Sequence, residues 1–128
     1  MARVLVIEDH LINMELAVLL LEKGGHSVLC ARNAEDGLVL ARSELPDVIL
    51  MDIQLPSMDG LTATRLLKAD PITCVIPVIA LTALAMKGDE ERIRAAGCDG
   101  YLAKPLRYQM LWQVIEAQIT LRDSSAIK

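Results

Sequence analysis

The sequence has no phenylalanine, and its 128 residues include only one tryptophan and two tyrosines. A hydrophobic core must therefore be built from aliphatic side chains, and the hydrophobic fraction of 53% supplies them. Such a composition suits buried parallel strands that are covered by helices on both faces. The length is close to the commonest size of one domain, which leaves no room for a second.

An excess of positive charge is also missing, because the formal net charge is −4. This argues against a nucleic-acid-binding surface, which needs clustered lysine and arginine. The three cysteines follow no metal-ligand spacing, so we expect small buried residues in a reducing compartment. The longest apolar run, residues 16–21, is too short to span a bilayer, and the first residues lack the features of a signal peptide. We therefore expect a cytoplasmic protein with neither a nucleic-acid nor a membrane partner.

The sequence does contain a strict alternation of strand-like and helix-like segments. The predicted strands are residues 4–7, 27–31, 48–51, 78–81 and 100–103, and the predicted helices are residues 11–23, 34–43, 60–69, 86–96 and 106–121. Five such units predict an α/β domain with one doubly wound parallel sheet. We expect this domain to occupy residues 1–122, followed by a frayed polar tail at residues 123–128.

Chemically active residues follow the predicted strands. Glu8 and Asp9 follow the first, Asp52 ends the third, Thr82 follows the fourth and Lys104 follows the fifth. Ligands bind an open parallel sheet outside the carboxyl ends of its strands, so these side chains are expected to meet there. Clustered acids repel one another unless a cation is present, which predicts Mg²⁺, with Mn²⁺ as the alternative. Separate helix caps or solvent-facing acids would explain single residues but not the whole set.

The chemistry of such a site favours phosphoryl transfer. A carboxylate can attack phosphorus to give an acyl phosphate, while Mg²⁺ neutralises the developing charge. Asp52 is the best candidate for this nucleophile, because it ends the most apolar strand and precedes a turn at residues 55–60. A lysine ammonium and a threonine hydroxyl can hold further phosphoryl oxygens.

Four segments carry a family resemblance: VLVIED at residues 4–9, PDVILMDIQLPSMDG at 46–60, VIALTA at 78–83 and GYLAKP at 100–105. Together and in this order, they resemble the receiver domain of two-component response regulators, of the stand-alone type, over residues 3–121. The resemblance implies a flavodoxin-like sheet of five parallel strands in the order 2-1-3-4-5, with five helices.

The resemblance also assigns roles at the metal. Asp52 resembles the phosphoacceptor, Asp9 a direct Mg²⁺ ligand and Glu8 an acid linked to the metal through water. The third protein ligand is a backbone carbonyl, which falls on Gln54. Glu8 replaces the more frequent aspartate, and Gln54 occupies a site that modulates the lifetime of the phosphate in the family.

The residues that would transmit the signal are implied in the same way. Thr82 resembles the switch hydroxyl, Tyr101 the switch aromatic and Lys104 the phosphate-binding lysine. The peptide bond between Lys104 and Pro105 is expected to be cis. Without the other motifs, Tyr101 would be read as an ordinary half-buried strand aromatic.

The resemblance implies a histidine kinase or a histidine phosphotransfer protein as the phosphoryl donor, and a target that binds the phosphorylated form. We expect a monomer or a weak dimer that catalyses only its own phosphorylation and dephosphorylation. The candidate partner-surface residues are Leu11, Glu15, Val18, Met86, Tyr101 and Trp112. The leucines of the first helix could instead be scattered exposed residues, and Trp112 could simply cover the edge of the core.

Three other functions compete with this one. A phosphorelay intermediate would pass its phosphate on to a histidine protein, and the sequence does not decide this point. A haloacid-dehalogenase-type phosphatase would need a second aspartate at position 54, where Gln54 stands. A nucleotide or flavin module would need a glycine-rich loop after the first strand, where Glu-Asp-His stands. His10 and His26 lack a ligand pattern, so we predict no metal role for them.

Overall fold

The computed structural model describes residues 1–83 and 87–126. Within them lies one sheet of five parallel strands in the order β2-β1-β3-β4-β5, which confirms the predicted fold class. The elements are β1 (Arg3–Ile7), α1 (Leu11–Lys23), β2 (Ser27–Ala31), α2 (Ala34–Glu44), β3 (Val48–Asp52), α3 (Gly60–Ala69), β4 (Val78–Thr82), α4 (Lys87–Ala95), β5 (Gly100–Ala103) and α5 (Tyr108–Ala126). No helix in these residues combines the length and apolar character needed to cross a membrane.

The aliphatic core lies in two layers, one on each face of the sheet. In β1, Leu5 and Ile7 pack into one layer and Val4 and Val6 into the other, because successive side chains of a strand point to opposite faces. The first layer contains buried residues of α2, α3 and α4, and the second contains those of α1 and α5. This double cover buries β1, β3 and β4 on both faces. Because these strands pair in parallel, their carboxyl ends meet at one edge of the sheet.

Both ends of the last helix differ from the prediction by more than one residue. The last helix begins at Tyr108, two residues after the predicted start, with the carbonyl of Arg107 accepting the bond from the N–H of Leu111. It continues to Ala126, which is five residues past its predicted end and into the segment expected to be a frayed tail. Residues 122–126 contain neither glycine nor proline, so no residue in them favours termination of the helix.

A side-chain cap sets the start of α3. Asp59 lies at the N-cap position, and its Oδ1 accepts a hydrogen bond of 2.8 Å from the backbone N–H of Thr62. This hydrogen bond lowers the pKa of the Asp59 carboxyl, because it stabilises the ionised form.

We expect Asp59→Ala to lower the free energy of unfolding by about 1 kcal/mol, while Asp59→Asn, which keeps a capping oxygen, costs only a few tenths. Because the folded pKa of Asp59 lies below the unfolded one, its contribution is present above the unfolded pKa. It is lost as the pH falls through the folded pKa. Urea unfolding should therefore show a difference between the wild type and Asp59→Ala that shrinks in acid. A difference that grew as the pH fell would contradict this role.

Trp112 joins α5 to α1. Its indole N–H donates a hydrogen bond of 2.9 Å to the carbonyl of Leu20, and its ring meets that of Tyr108 at a centroid distance of 4.9 Å. The ring also packs against the second core layer and lies close to Gly24. These contacts favour a role in covering the edge of the core, in place of the partner anchor that the sequence suggested for Trp112.

Candidate functional site

The predicted convergence of strand ends is present. The register pairs Ile7 of β1 with Met51 of β3, so the residues that follow, Glu8 and Asp52, are neighbours. Lys104 follows β5 and must reach past β4, which its long side chain can do. Its Nζ lies 3.0 Å from Glu8 Oε1 and 3.0 Å from Asp52 Oδ2.

Three carboxylate oxygens of the acidic group are buried: Glu8 Oε1, Asp9 Oδ1 and Asp52 Oδ2. The positive charge of Lys104 partly neutralises the negative charge on Glu8 Oε1 and Asp52 Oδ2. One ammonium against three carboxyl groups leaves an excess of two negative charges, which a divalent cation would balance. Three buried carboxyl groups beside one ammonium therefore fit a bound cation better than they fit a site without one.

The spacing of the possible ligands also fits one ion. Single ligand atoms of Glu8, Asp9, His10 and Asp52 all lie within 4.8 Å of one another. Two oxygens on opposite sides of an octahedral Mg²⁺ lie about 4.2 Å apart, so small side-chain shifts would complete such a site. The carboxylates supply the hard oxygen ligands that Mg²⁺ prefers.

The hydrogen bonds around Asp52 orient its carboxyl group. The backbone N–H of Gln54 donates to Asp52 Oδ1 at 2.9 Å, which leaves Oδ2 to face Lys104. Gln54 thus lies in the loop directly beside the predicted phosphoacceptor. The carboxyl group of Asp52 is almost fully buried, so water solvates it poorly.

Burial and neighbouring charges shift the ionisation of this group. Burial raises the pKa of Glu8, and the hydrogen bond and charge of Asp52 raise it further, while Lys104 opposes them. Burial lowers the pKa of Lys104, but its contacts with Glu8 and Asp52 outweigh that effect and raise it overall. These contacts therefore disfavour the ionised form of Glu8 and favour the charged form of Lys104.

A close backbone approach holds the loop between β3 and α3. The N–H of Gly60 donates to the carbonyl of Ile53 at 3.1 Å, and Ile53 N–H donates to the carbonyl of Leu81 at 3.2 Å. A Cβ at Gly60 would collide with the backbone carbonyl of Asp52 and with the Cα of Ile53. Glycine is therefore needed for α3 to begin directly against the backbone of Asp52.

Thr82 and Tyr101 lie on the same face of the sheet. Ala80 pairs with Tyr101 and Thr82 pairs with Ala103, and residues two apart in a strand point the same way. Tyr101 is half-buried against the first core layer, and Thr82 is buried at the end of β4. A cleft of about 190 Å³ opens beside Thr82 and is also lined by Gln54, Asp59, Asp89 and Arg92.

Backbone contacts couple the lysine to this neighbourhood. The N–H of Lys104 donates to the carbonyl of Thr82 at 2.8 Å. The peptide bond between Lys104 and Pro105 is cis, as the resemblance implied. The ends of β4 and β5 are therefore tied together at the edge of the sheet where the acids lie.

The predicted partner surface on α1 is only partly exposed. Leu11 is 55% exposed and Glu15 is exposed, but Val18 is half-buried and packs against the second core layer. Ile12, which the sequence did not single out, is 80% exposed. The buried stripe of α1 is Met14, Ala17 and Leu21, and Val18 lies beside it. Met86, the predicted surface residue before α4, lies outside the described residues.

The histidines and cysteines also differ from expectation. His10, for which we predicted no metal role, lies beside the acids, with Nδ1 3.3 Å from Asp9 Oδ1. His26 is buried, and its Nδ1 accepts a hydrogen bond of 3.0 Å from the N–H of Ala2, so its role is structural. Cys98 is buried as expected, but Cys30 is exposed on the edge strand β2. Edge strands are covered less than central ones, which the local sequence of β2 does not reveal.

Comparison with known proteins agrees with this geometry. Residues 4–116 match the family model of the response regulator receiver domain, which covers most of the chain. The chain therefore belongs to the response regulator receiver domains of two-component signalling. It is 47% identical over 116 residues to the polar-differentiation response regulator DivK of Brucella anthropi, across 91% of this chain and 94% of that protein.

Solved structures show the same fold. The receiver domain of the sensor histidine kinase PA1611 from Pseudomonas aeruginosa has a TM-score of 0.87 at 34% identity, over 93% of this chain and 98% of that one. That structure holds a magnesium ion in its active-site cleft. The receiver domain of the Francisella response regulator 1452 has a TM-score of 0.88 at 25% identity, over 95% of this chain and 99% of that one.

Proposed function

We propose that the chain accepts one phosphoryl group on Asp52 from a phosphohistidine of a histidine kinase or phosphotransfer protein, and that this modification changes its binding to a target protein. The environment of one oxygen, Asp52 Oδ2, supports this proposal most strongly. Asp52 Oδ2 is a buried carboxylate oxygen that lies 3.0 Å from the Lys104 ammonium inside an acidic cluster. Such an oxygen is poorly solvated and already oriented, which suits a nucleophile.

In the transfer, Asp52 Oδ2 forms a bond to phosphorus while the bond between phosphorus and the donor imidazole nitrogen breaks. The imidazole keeps the electron pair of the broken bond and can take a proton from water. The N–H of Gln54 holds Asp52 Oδ1 throughout, so only Oδ2 points to the donor. Glu8, Asp9, Asp52 and the carbonyl of Gln54 would hold Mg²⁺, which neutralises charge on the transferring phosphoryl oxygens when bound.

The phosphoryl group would then alter contacts at the ends of β4 and β5. Phosphorylation adds a charge of roughly −1.5 to −2. The phosphoryl group would therefore attract the Lys104 ammonium more strongly than the carboxylates of Glu8 and Asp52 do. The Thr82 hydroxyl can move to donate a hydrogen bond to a further phosphoryl oxygen. The ring of Tyr101, on the same face of the sheet, can then repack toward the position that Thr82 leaves. Phosphate thereby favours a conformation that the protein can already adopt.

Transfer from a phosphohistidine donor tests the proposal. The full chain is mixed, in the presence of Mg²⁺, with a histidine phosphotransfer protein that has been phosphorylated on its histidine. The intact mass of each chain is then followed with time. We expect one phosphoryl group on the wild type and none on Asp52→Asn. Release of phosphate well beyond one equivalent of protein, from a phosphomonoester, would instead indicate an enzyme that turns over. Modification of Asp52→Asn to the wild-type extent would contradict the proposal.

Replacing Lys104 should separate phosphorylation of Asp52 from the conformational change that it causes in β4 and β5. We expect Lys104→Ala to slow uptake of a phosphoryl group from acetyl phosphate by about tenfold, because one charge-assisted contact to phosphate is lost. Amide NMR should show phosphorylation-dependent shifts in β4 and β5 of the wild type that are much smaller in the variant. Lys23→Ala, which removes a lysine from the exposed end of α1, should behave as the wild type. Wild-type shifts in phosphorylated Lys104→Ala would rule out this role.

A further inference from the structure

His10 lies where a metal ligand would lie. Its Nδ1 is 3.3 Å from Asp9 Oδ1 and 3.8 Å from Glu8 Oε2. Two donor atoms that each lie about 2.1 Å from one octahedral ion are roughly 3.0 to 4.2 Å apart. Both distances fall in that range, and Asp9 Oδ1 is a buried oxygen that accepts no hydrogen bond from the residues that the structure describes.

The local structure leaves the imidazole available. His10 is the N-cap residue of α1, yet its side chain makes no capping hydrogen bond. Its backbone N–H instead donates to Glu8 Oε2 at 3.3 Å, which fixes the Cα of His10 beside the acids. The side chain is 69% exposed, so the ring can make the small shift that would bring its nitrogen to an ion.

An imidazole changes which ions the site prefers. Mg²⁺ is a hard cation that takes oxygen ligands, whereas imidazole nitrogen suits first-row transition metals such as Co²⁺, Ni²⁺ and Zn²⁺. We propose that His10 is an additional ligand of the cation site and shifts its preference from Mg²⁺ toward these ions. This inference rests on the proposed metal site and assigns a determinant of its selectivity.

Calorimetric titration of the full chain with MgCl₂ and, separately, with NiCl₂ tests the assignment. We expect His10→Ala to weaken Ni²⁺ binding by about tenfold or more, since a nitrogen ligand is lost. Mg²⁺ binding should change by less than about threefold, because Mg²⁺ replaces such a ligand with water. Ile12→Ala, which alters an exposed neighbour in the same turn, should leave both affinities unchanged.

X-ray absorption at the nickel edge separates ligation from a structural effect. The wild-type chain should show imidazole scattering, and His10→Ala should lose it. Absence of imidazole scattering in the wild type, or an equal loss of Ni²⁺ and Mg²⁺ affinity in His10→Ala, overturns the role of His10 alone. A wild-type chain that binds Ni²⁺ through the imidazole but does not bind Mg²⁺ contradicts the proposed function and leaves the ligand assignment standing.

Discussion

Asp52→Asn is expected to raise the melting temperature of the metal-free protein and to remove most of its stabilisation by Mg²⁺. In the wild type, Asp52 and Glu8 share the Lys104 ammonium, and the hydrogen bond and charge of Asp52 help to raise the pKa of Glu8. Asparagine removes one negative charge, while its side-chain oxygen can still accept from the N–H of Gln54. The Lys104 ammonium then pairs with the carboxylate of Glu8 and no longer with that of residue 52.

The expected gain without metal is about 1–2 kcal/mol, or a rise of about 3–8 °C in melting temperature. With Mg²⁺ at about a hundred times its dissociation constant, the wild type gains about 2.7 kcal/mol and the variant far less, so the order of stability reverses. Scanning calorimetry with Mg²⁺ and with chelator measures both effects. Glu15→Gln, which removes an exposed carboxylate, should show no such reversal.

The reversal is the informative part of that experiment. A variant that was less stable than the wild type in chelator would mean that the Asp52 carboxylate is satisfied without a cation. Equal stabilisation of both proteins by Mg²⁺ would mean that the ion binds elsewhere. Either result would remove the electrostatic basis of the site.

Gly60→Ala is expected to lower the free energy of unfolding by more than about 2 kcal/mol and to reduce phosphoryl uptake sharply. The added methyl group meets the backbone of Asp52 and Ile53, which cannot rotate away as a flexible side chain could. To relieve the clash, α3 or the end of β3 must move. Either movement disturbs the N–H of Gln54 that orients Asp52.

Gly88→Ala is the matched control for Gly60→Ala. Among the described residues outside its own helical turn, no atom lies within 4 Å of a Cβ at Gly88 in α4, so alanine should leave the stability unchanged or raise it by up to about 1 kcal/mol through its higher helix propensity. Urea unfolding and the rate of phosphorylation by acetyl phosphate measure both outcomes. Wild-type stability and a wild-type rate in Gly60→Ala would show that the close approach of α3 is unnecessary for the site.

Much of this fold follows from the alternation of strand-like and helix-like segments along the chain. The central strands are continuous apolar runs bounded by turn residues, so β1, β3 and β4 were predicted to within one residue at each end. The acidic edge was also predictable, because a parallel sheet brings Glu8, Asp9 and Asp52 together wherever the strands lie in register.

Side-chain orientations and contacts between distant segments were harder to predict. His10 is adjacent in sequence to the acids, but nothing in the sequence shows that its ring turns back toward Asp9 and not into solvent. Val18 was predicted to lie on a partner surface but packs against the second core layer, and the sequence hides this because leucine and valine occur on nearly every side of α1. The hydrogen bond of Trp112 to Leu20 joins residues 92 positions apart, which no local pattern encodes.

The most direct test of the central claim is to find the atom that carries the phosphoryl group. Borohydride reduces an acyl phosphate to an alcohol, so a phosphorylated aspartate becomes homoserine and can be located by peptide sequencing. After treatment with acetyl phosphate and Mg²⁺, we predict homoserine at position 52 alone, and none when a chelator replaces the metal. Homoserine at another position, or at position 52 without a divalent cation, would contradict the account.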